Sequence, residues 1–110
     1  MHERLLPTDG KGGKDGKKKT NIIKRYGKME DWNTTNVTDM SHLFHDYMNF
    51  NEDISKWDTS NVTNMAYLFN NCKYFNQHIG EWDVSKVTTM DFMFEDAEGF
   101  NLENAPWYHE

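Results

Sequence analysis

A chain of 110 residues, 36% hydrophobic and 15% aromatic, has room for one small domain whose burial must come from a few large rings. Its one cysteine, Cys72, excludes an internal disulfide and a cysteine-built zinc cage, and no apolar run approaches the roughly 20 residues that span a bilayer. The net charge of −6 divides into +6 over residues 1–28 and −12 over residues 29–110, so an acidic body carries a cationic arm and is a poor partner for nucleic acid.

Residues 1–20 read as a flexible basic Gly/Lys-rich arm. Met1 to Pro7 contains no apolar stretch long enough for a signal peptide, which favours an intracellular or particle-bound location over export. Residues 8–20 hold four glycines and no apolar side chain, so burial cannot offset their ordering entropy. Lys11, Lys14, Lys17, Lys18 and Lys19 then belong to a solvated linker, or they grip phosphate, an acidic protein face or the acidic coils of a neighbouring copy. Residues 21–31 read as an N-terminal cap, with Ile22, Ile23 and Tyr26 as apolar contacts and Gly27 allowing a turn before Met29.

From Trp32 onward the pattern recurs every 25 residues without insertion, giving three repeats and a partial fourth over residues 32–110. Trp32, Trp57, Trp82 and Trp107 mark it; Val37, Val62 and Val87 follow, then Met40, Met65 and Met90, Phe44, Phe69 and Phe94, and Phe50, Phe75 and Phe100. A fixed period of this length marks coils that stack because none can bury its apolar face alone. In the first coil Met40, Leu43, Phe44 and Tyr47 fall at i, i+3, i+4 and i+7, and the other coils repeat the spacing. It predicts a short amphipathic helix in each coil, with Thr38, Thr63 and Thr88 as N-caps. Residues 35–38, 60–63 and 85–88 are short and β-branched with Val inward, which predicts one strand per coil in a parallel sheet. The expected fold is therefore α/β, a small solenoid with one short parallel strand and one short helix per coil. Asn51, Asn76 and Asn101 are expected to form a ladder that satisfies turn backbone groups. Cys72, in a column with Tyr47 and Ala97, reads as a small buried hydrophobe rather than a reactive thiol.

At the far end Asn104 stands where Ile54 and Ile79 predict an aliphatic, and Pro106 precedes the last Trp. Pro106, Trp107 and Tyr108 either fold over the end as a lid or meet a partner there.

The stretches from Trp32 to Met40, Trp57 to Met65 and Trp82 to Met90, with the linking Phe-Asn-x-x-Ile of residues 50–54 and 75–79, resemble the BspA-like surface-protein repeats. That family is a branch of the leucine-rich-repeat superfamily known from mycoplasma lipoproteins, other bacterial surface proteins, some algae and large DNA viruses. The resemblance covers roughly residues 22–102. It implies a right-handed strand-helix solenoid used for recognition or display, with no catalytic residues to carry over.

Chemistry-bearing clusters are few. His42 and His45, three apart, have spacing that can place two imidazoles on one metal, or they are exposed variable positions of one coil. Glu52-Asp53 and Glu95-Asp96-Glu98 follow no calcium-loop template, and no nucleophile elbow, phosphate loop or zinc-protease motif occurs. No catalytic residue, cofactor or metal is therefore expected. The candidate interaction face is the outward stripe Asn36, Thr38, Asn61, Thr63, Lys86 and Thr88. The expected function is that of a non-enzymatic structural or protein-interaction protein, a minor component of a larger assembly such as a virus particle, with neighbouring subunits as partners. The alternatives are a surface-display or adhesion module that binds a ligand, and nucleic-acid tethering through the basic arm.

Overall fold

Burying an indole requires an acceptor for its N–H, and the acceptors here fix how the coils lie. In a computed structural model that describes residues 28–109, the Trp57 Nε1 donates to the Met29 carbonyl at 2.8 Å, Trp82 to Ile54 at 3.0 Å and Trp107 to Ile79 at 2.9 Å. Each bond ties the tryptophan of one coil to the aliphatic that precedes the tryptophan of the coil before. Trp32, Trp57 and Trp82 are buried and Trp107 is half-buried. The basic arm and the cap residues Ile22, Ile23, Tyr26 and Gly27 lie outside the described residues.

Beside the indoles run two files of phenylalanine. Phe44, Phe69 and Phe94 stack at 5.9 and 5.6 Å between centroids, and Phe50, Phe75 and Phe100 at 5.4 and 5.5 Å. Within each coil the two files touch face to face, at 3.9, 4.1 and 4.3 Å. The middle coil is the most enclosed: Val62, Met65, Leu68, Phe69, Cys72 and Phe75 have no exposed surface.

The expected α/β solenoid of one strand and one helix per coil is overturned. Among the described residues there is no α-helix and no named strand, only two 3-10 helices, Met29–Asp31 and Leu102–Asn104, and isolated parallel bridges Asp39 to Asn64 and Asn64 to Thr89. In the stripe expected to be helical, Leu43 N–H bonds the Met40 carbonyl and Tyr47 N–H that of Phe44, three residues back. The alternate N–H groups of Met40, His42, Phe44 and Asp46 instead reach the next coil, to the carbonyls of Asn64, Ala66, Leu68 and Asn70 at 2.9 to 3.1 Å. Met65, Tyr67, Phe69 and Asn71 repeat this onto Thr89, Asp91, Met93 and Glu95. Two residues four apart in each stripe have positive φ, His42 and Asp46, Tyr67 and Asn71, and Phe92 and Asp96, all lying between 58° and 64°, which no right-handed helix admits.

The physical reason is a coincidence of periods. Consecutive four-residue turns turn inward the same positions, i, i+3, i+4 and i+7, as a helix does, so the apolar stripe does not distinguish them. The turns win because they free half the N–H groups for the neighbouring coil. The strand expectation fails for a related reason. Val37, Val62 and Val87 close turns onto residues three back, and pairing across coils starts one residue later, with Thr63 N–H on Thr38 and Thr88 N–H on Thr63 at 2.7 and 2.8 Å.

Thr38, Thr63 and Thr88 are not helix caps. The Thr63 and Thr88 hydroxyls donate to the carbonyls of Thr38 and Thr63 in the preceding coil, while the turn is started by Asp39, Asn64 and Thr89, which accept from the N–H two residues on. The asparagine ladder is present: Asn51 Oδ1 accepts from Asn76 N–H at 2.8 Å and Asn76 Oδ1 from Asn101 N–H at 2.9 Å.

Candidate interaction surface

Alternation about inward-facing Val37, Val62 and Val87 turns the predicted stripe outward. Asn36, Thr38, Thr63, Lys86 and Thr88 are exposed and Asn61 is half-buried. The structure brings them together as two adjacent columns. Lys86 Nζ donates to Asn61 Oδ1 at 3.0 Å, and Asn61 Nδ2 donates to the Thr35 carbonyl at 2.7 Å. The Thr63 and Thr88 hydroxyls spend their protons on the coil before, leaving oxygen lone pairs outward. The stripe is thus a rigid row of acceptors and amides with one lysine.

The column two residues after each Trp carries Thr34, Thr59 and Val84, and the first two are buried polar residues that the sequence reading passed over. Thr34 Oγ1 donates to the Asp58 carbonyl at 2.9 Å and Thr59 Oγ1 to Asp83 at 3.1 Å, which holds the base of the stripe in register. Their signal was present as a recurrent β-branched column. Asp58 and Asp83 also accept from the Ser60 and Ser85 side chains and N–H groups. These bonds, with the side-chain one first, hold both carboxyls below the ordinary aspartate range, and Asp53 is lowered the same way by Ser55.

His42 and His45 do lie side by side, with ring centroids 5.6 Å apart. The face of His42, however, stacks on Tyr67 at 4.5 Å, and Tyr67 meets Phe92 at 5.1 Å, so the ring begins an outer aromatic column. His45 Nε2 faces Asp46 Oδ2 at 3.2 Å. No group of three His, Cys, Asp or Glu side chains among the described residues is placed to hold a metal ion. Cys72 is buried, its Sγ donating to the Phe44 carbonyl, and burial, then the Asp46 charge, pushes its thiol far above the usual cysteine range.

At the C-terminal end the last residues fold onto the stack. Trp107 stacks on Trp82 at 6.3 Å, Tyr108 meets Phe94 edge-on at 4.9 Å, and Pro106 lies against Gly80. Asn104 replaces an aliphatic by donating from Nδ2 to Asn76 Oδ1, while its carbonyl accepts from Ile79 N–H. The lysines of the arm lie outside the described residues. No helix among those described is long and apolar enough to cross a membrane.

The family described as Mycoplasma protein of unknown function, DUF285, matches residues 17–110. The chain belongs to that family. The DUF285 match takes in every described residue. No curated protein and no solved structure matches the chain.

Proposed function

We propose that the chain is a non-enzymatic protein-interaction element of a larger assembly, displaying the stripe of Asn36, Thr38, Asn61, Thr63, Lys86 and Thr88 to a neighbouring subunit. The observation that carries this reading is the cross-coil bonding of the stripe, since Lys86 to Asn61 and Thr88 to Thr63 give it one geometry before a partner arrives, which lowers the ordering cost of association. Three coils at about 4.8 Å spacing make a face only about 10 Å across, narrower than a standard interface. Several copies must therefore contribute.

The test is light scattering on the full chain over a wide concentration range, alone and with Thr63→Glu. Species larger than a monomer, lost in the variant while its melting curve is unchanged, support the reading. A monomer at every concentration overturns it. The resemblance to BspA-like surface repeats supports a second reading, display of the same stripe for adhesion. Under that reading the chain stays monomeric and the stripe binds a soluble ligand.

A further inference from the structure

Three columns run along one flank of the stack: Asn36, Asn61 and Lys86; Thr38, Thr63 and Thr88; and Asp39, Asn64 and Thr89, which carry the parallel bridges from coil to coil. Only two of these side chains are charged, and they stand at opposite ends, Asp39 on the first coil and Lys86 on the third, both exposed. Two coil spacings, about 10 Å, separate them along the axis, and each is held where it stands. Asp39 Oδ1 accepts from Ser41 N–H at 2.8 Å, and Lys86 Nζ gives one of its N–H groups to Asn61 Oδ1 at 3.0 Å. Asp83, whose carboxyl also feels the Lys86 charge, lies beyond the turn that Val87 N–H closes on the Val84 carbonyl, outside these columns. The flank is therefore negative at one end, positive at the other and neutral between.

A surface so patterned complements itself in one sense only. Two copies face to face with their coils in the same order set Lys86 against Lys86 and Asp39 against Asp39, and like charges so placed are costly. With the order reversed, the first coil of each copy meets the third coil of the other. Asn61 and Thr63 then lie at a two-fold axis, and each Lys86, on its flexible four-carbon stem, comes within reach of the opposite Asp39. We infer that the neighbour of the stripe is a second copy of this chain, docked face to face with coil order reversed, so that Lys86 of each copy meets Asp39 of the other. This rests on the stripe being an assembly surface, as proposed above, and adds the partner and its orientation. The flank runs parallel to the stack, so a further coil at either end lengthens it and does not cover it. The contact is small, at the weak end of specific interfaces, and the charge pattern rather than the area selects the orientation.

The test is complementation between two singly substituted full chains, read by light scattering over a wide concentration range at about 0.05 M salt. In the reversed pair Asp39→Lys sets lysine against lysine and Lys86→Asp sets aspartate against aspartate. Each alone should associate about tenfold more weakly than the wild type, with its melting curve unchanged. An equimolar mixture of the two restores opposite charges at both contacts and should associate nearly as the wild type does. Asp39→Asn keeps an acceptor for Ser41 N–H and Lys86→Gln keeps a donor for Asn61, so these neutral forms stay folded and should each weaken association about threefold. Near 0.5 M salt the wild type and all variants should converge. Variants that associate as the wild type does, a mixture no stronger than its components, or differences that persist at high salt overturn the inference. An association that Thr63→Glu abolishes but that ignores these charges overturns the orientation alone and leaves the stripe reading standing. A wild type that stays monomeric at every concentration overturns both, whether the flank is empty or holds another segment of the same protein.

Discussion

Trp57 shows how much one side chain carries in so thin a stack. Its indole is 4% exposed, stacks on Trp32 at 6.3 Å and gives its N–H to Met29 across the coil boundary. Trp57→Ala should cost about 3 to 5 kcal/mol by cavity formation, a large part of a total stability on the order of 5 to 15 kcal/mol. Trp57→Phe keeps a ring and leaves the Met29 carbonyl without its donor, so a loss nearer 1 to 3 kcal/mol is expected. Urea unfolding of the two variants measures both, and similar losses would mean that the hydrogen bond, rather than the ring, holds the column. Cys72 is a second case. With no exposed surface and its ionisation opposed by burial and by Asp46, it should resist a thiol-alkylating reagent at pH 8 in the native chain. It should be labelled at the rate of unfolding in urea. Prompt labelling of the folded chain would show that the column opens locally.

At the scale of the element, the turn is the unit that sequence periodicity could not tell from a helix. Which residues lie inside was legible, because the indole, methionine and phenylalanine columns follow from the 25-residue period whatever the backbone does. The backbone was half-legible. Asp53, Asp58 and Asp83, each two residues before a serine, and Asp39 and Asn64 ahead of the stripe are turn-starting residues. Tyr67 and Phe92 give no hint of positive φ, since bulky side chains are poor occupants of that region. The outward stripe followed from alternation, whereas the N–H rows that join one coil to the next are main chain and have no residue code. Asp96, exposed at φ 62°, tests the turn directly. Asp96→Gly should stabilise by about 0.5 to 1 kcal/mol and Asp96→Val should destabilise by about 1 kcal/mol or more, the order being reversed from helix propensity. Thermal melts of the pair distinguish the two backbones. The aspartate–serine bonds add a pH dependence. Because the folded carboxyl of Asp58 lies below its ordinary value of 3.8, the stability it contributes is complete above that value. It fades as pH falls through 3.8 and past the folded value. Ser60→Ala removes the leading cause, and a carboxyl NMR titration should find Asp58 moved back toward 3.8.

At the scale of the whole molecule, the contacts are nearest-neighbour: the ring stacks, the threonine and asparagine bonds and the N–H rows all join one coil to the next. Stability in such a stack is a sum of coil terms and interface terms, and any cut that preserves register should preserve the fold. Removing residues 57–81 puts Trp82 after Lys56, where Trp57 had been, so its N–H can reach Met29 and every column closes on an equivalent side chain. That shortened chain should unfold cooperatively, at a lower temperature, and with a denaturant slope reduced by roughly a third, since the slope follows the surface exposed on unfolding. Removing residues 57–80 instead, one residue fewer, leaves Glu81 where Trp57 belongs. It also shifts each forward N–H by one position, so that donors and inward side chains are out of phase together. No cooperative transition is expected from it. Equal behaviour of the two deletions in circular dichroism melts would mean that the coils tolerate slippage and that the columns follow from the stacking rather than direct it.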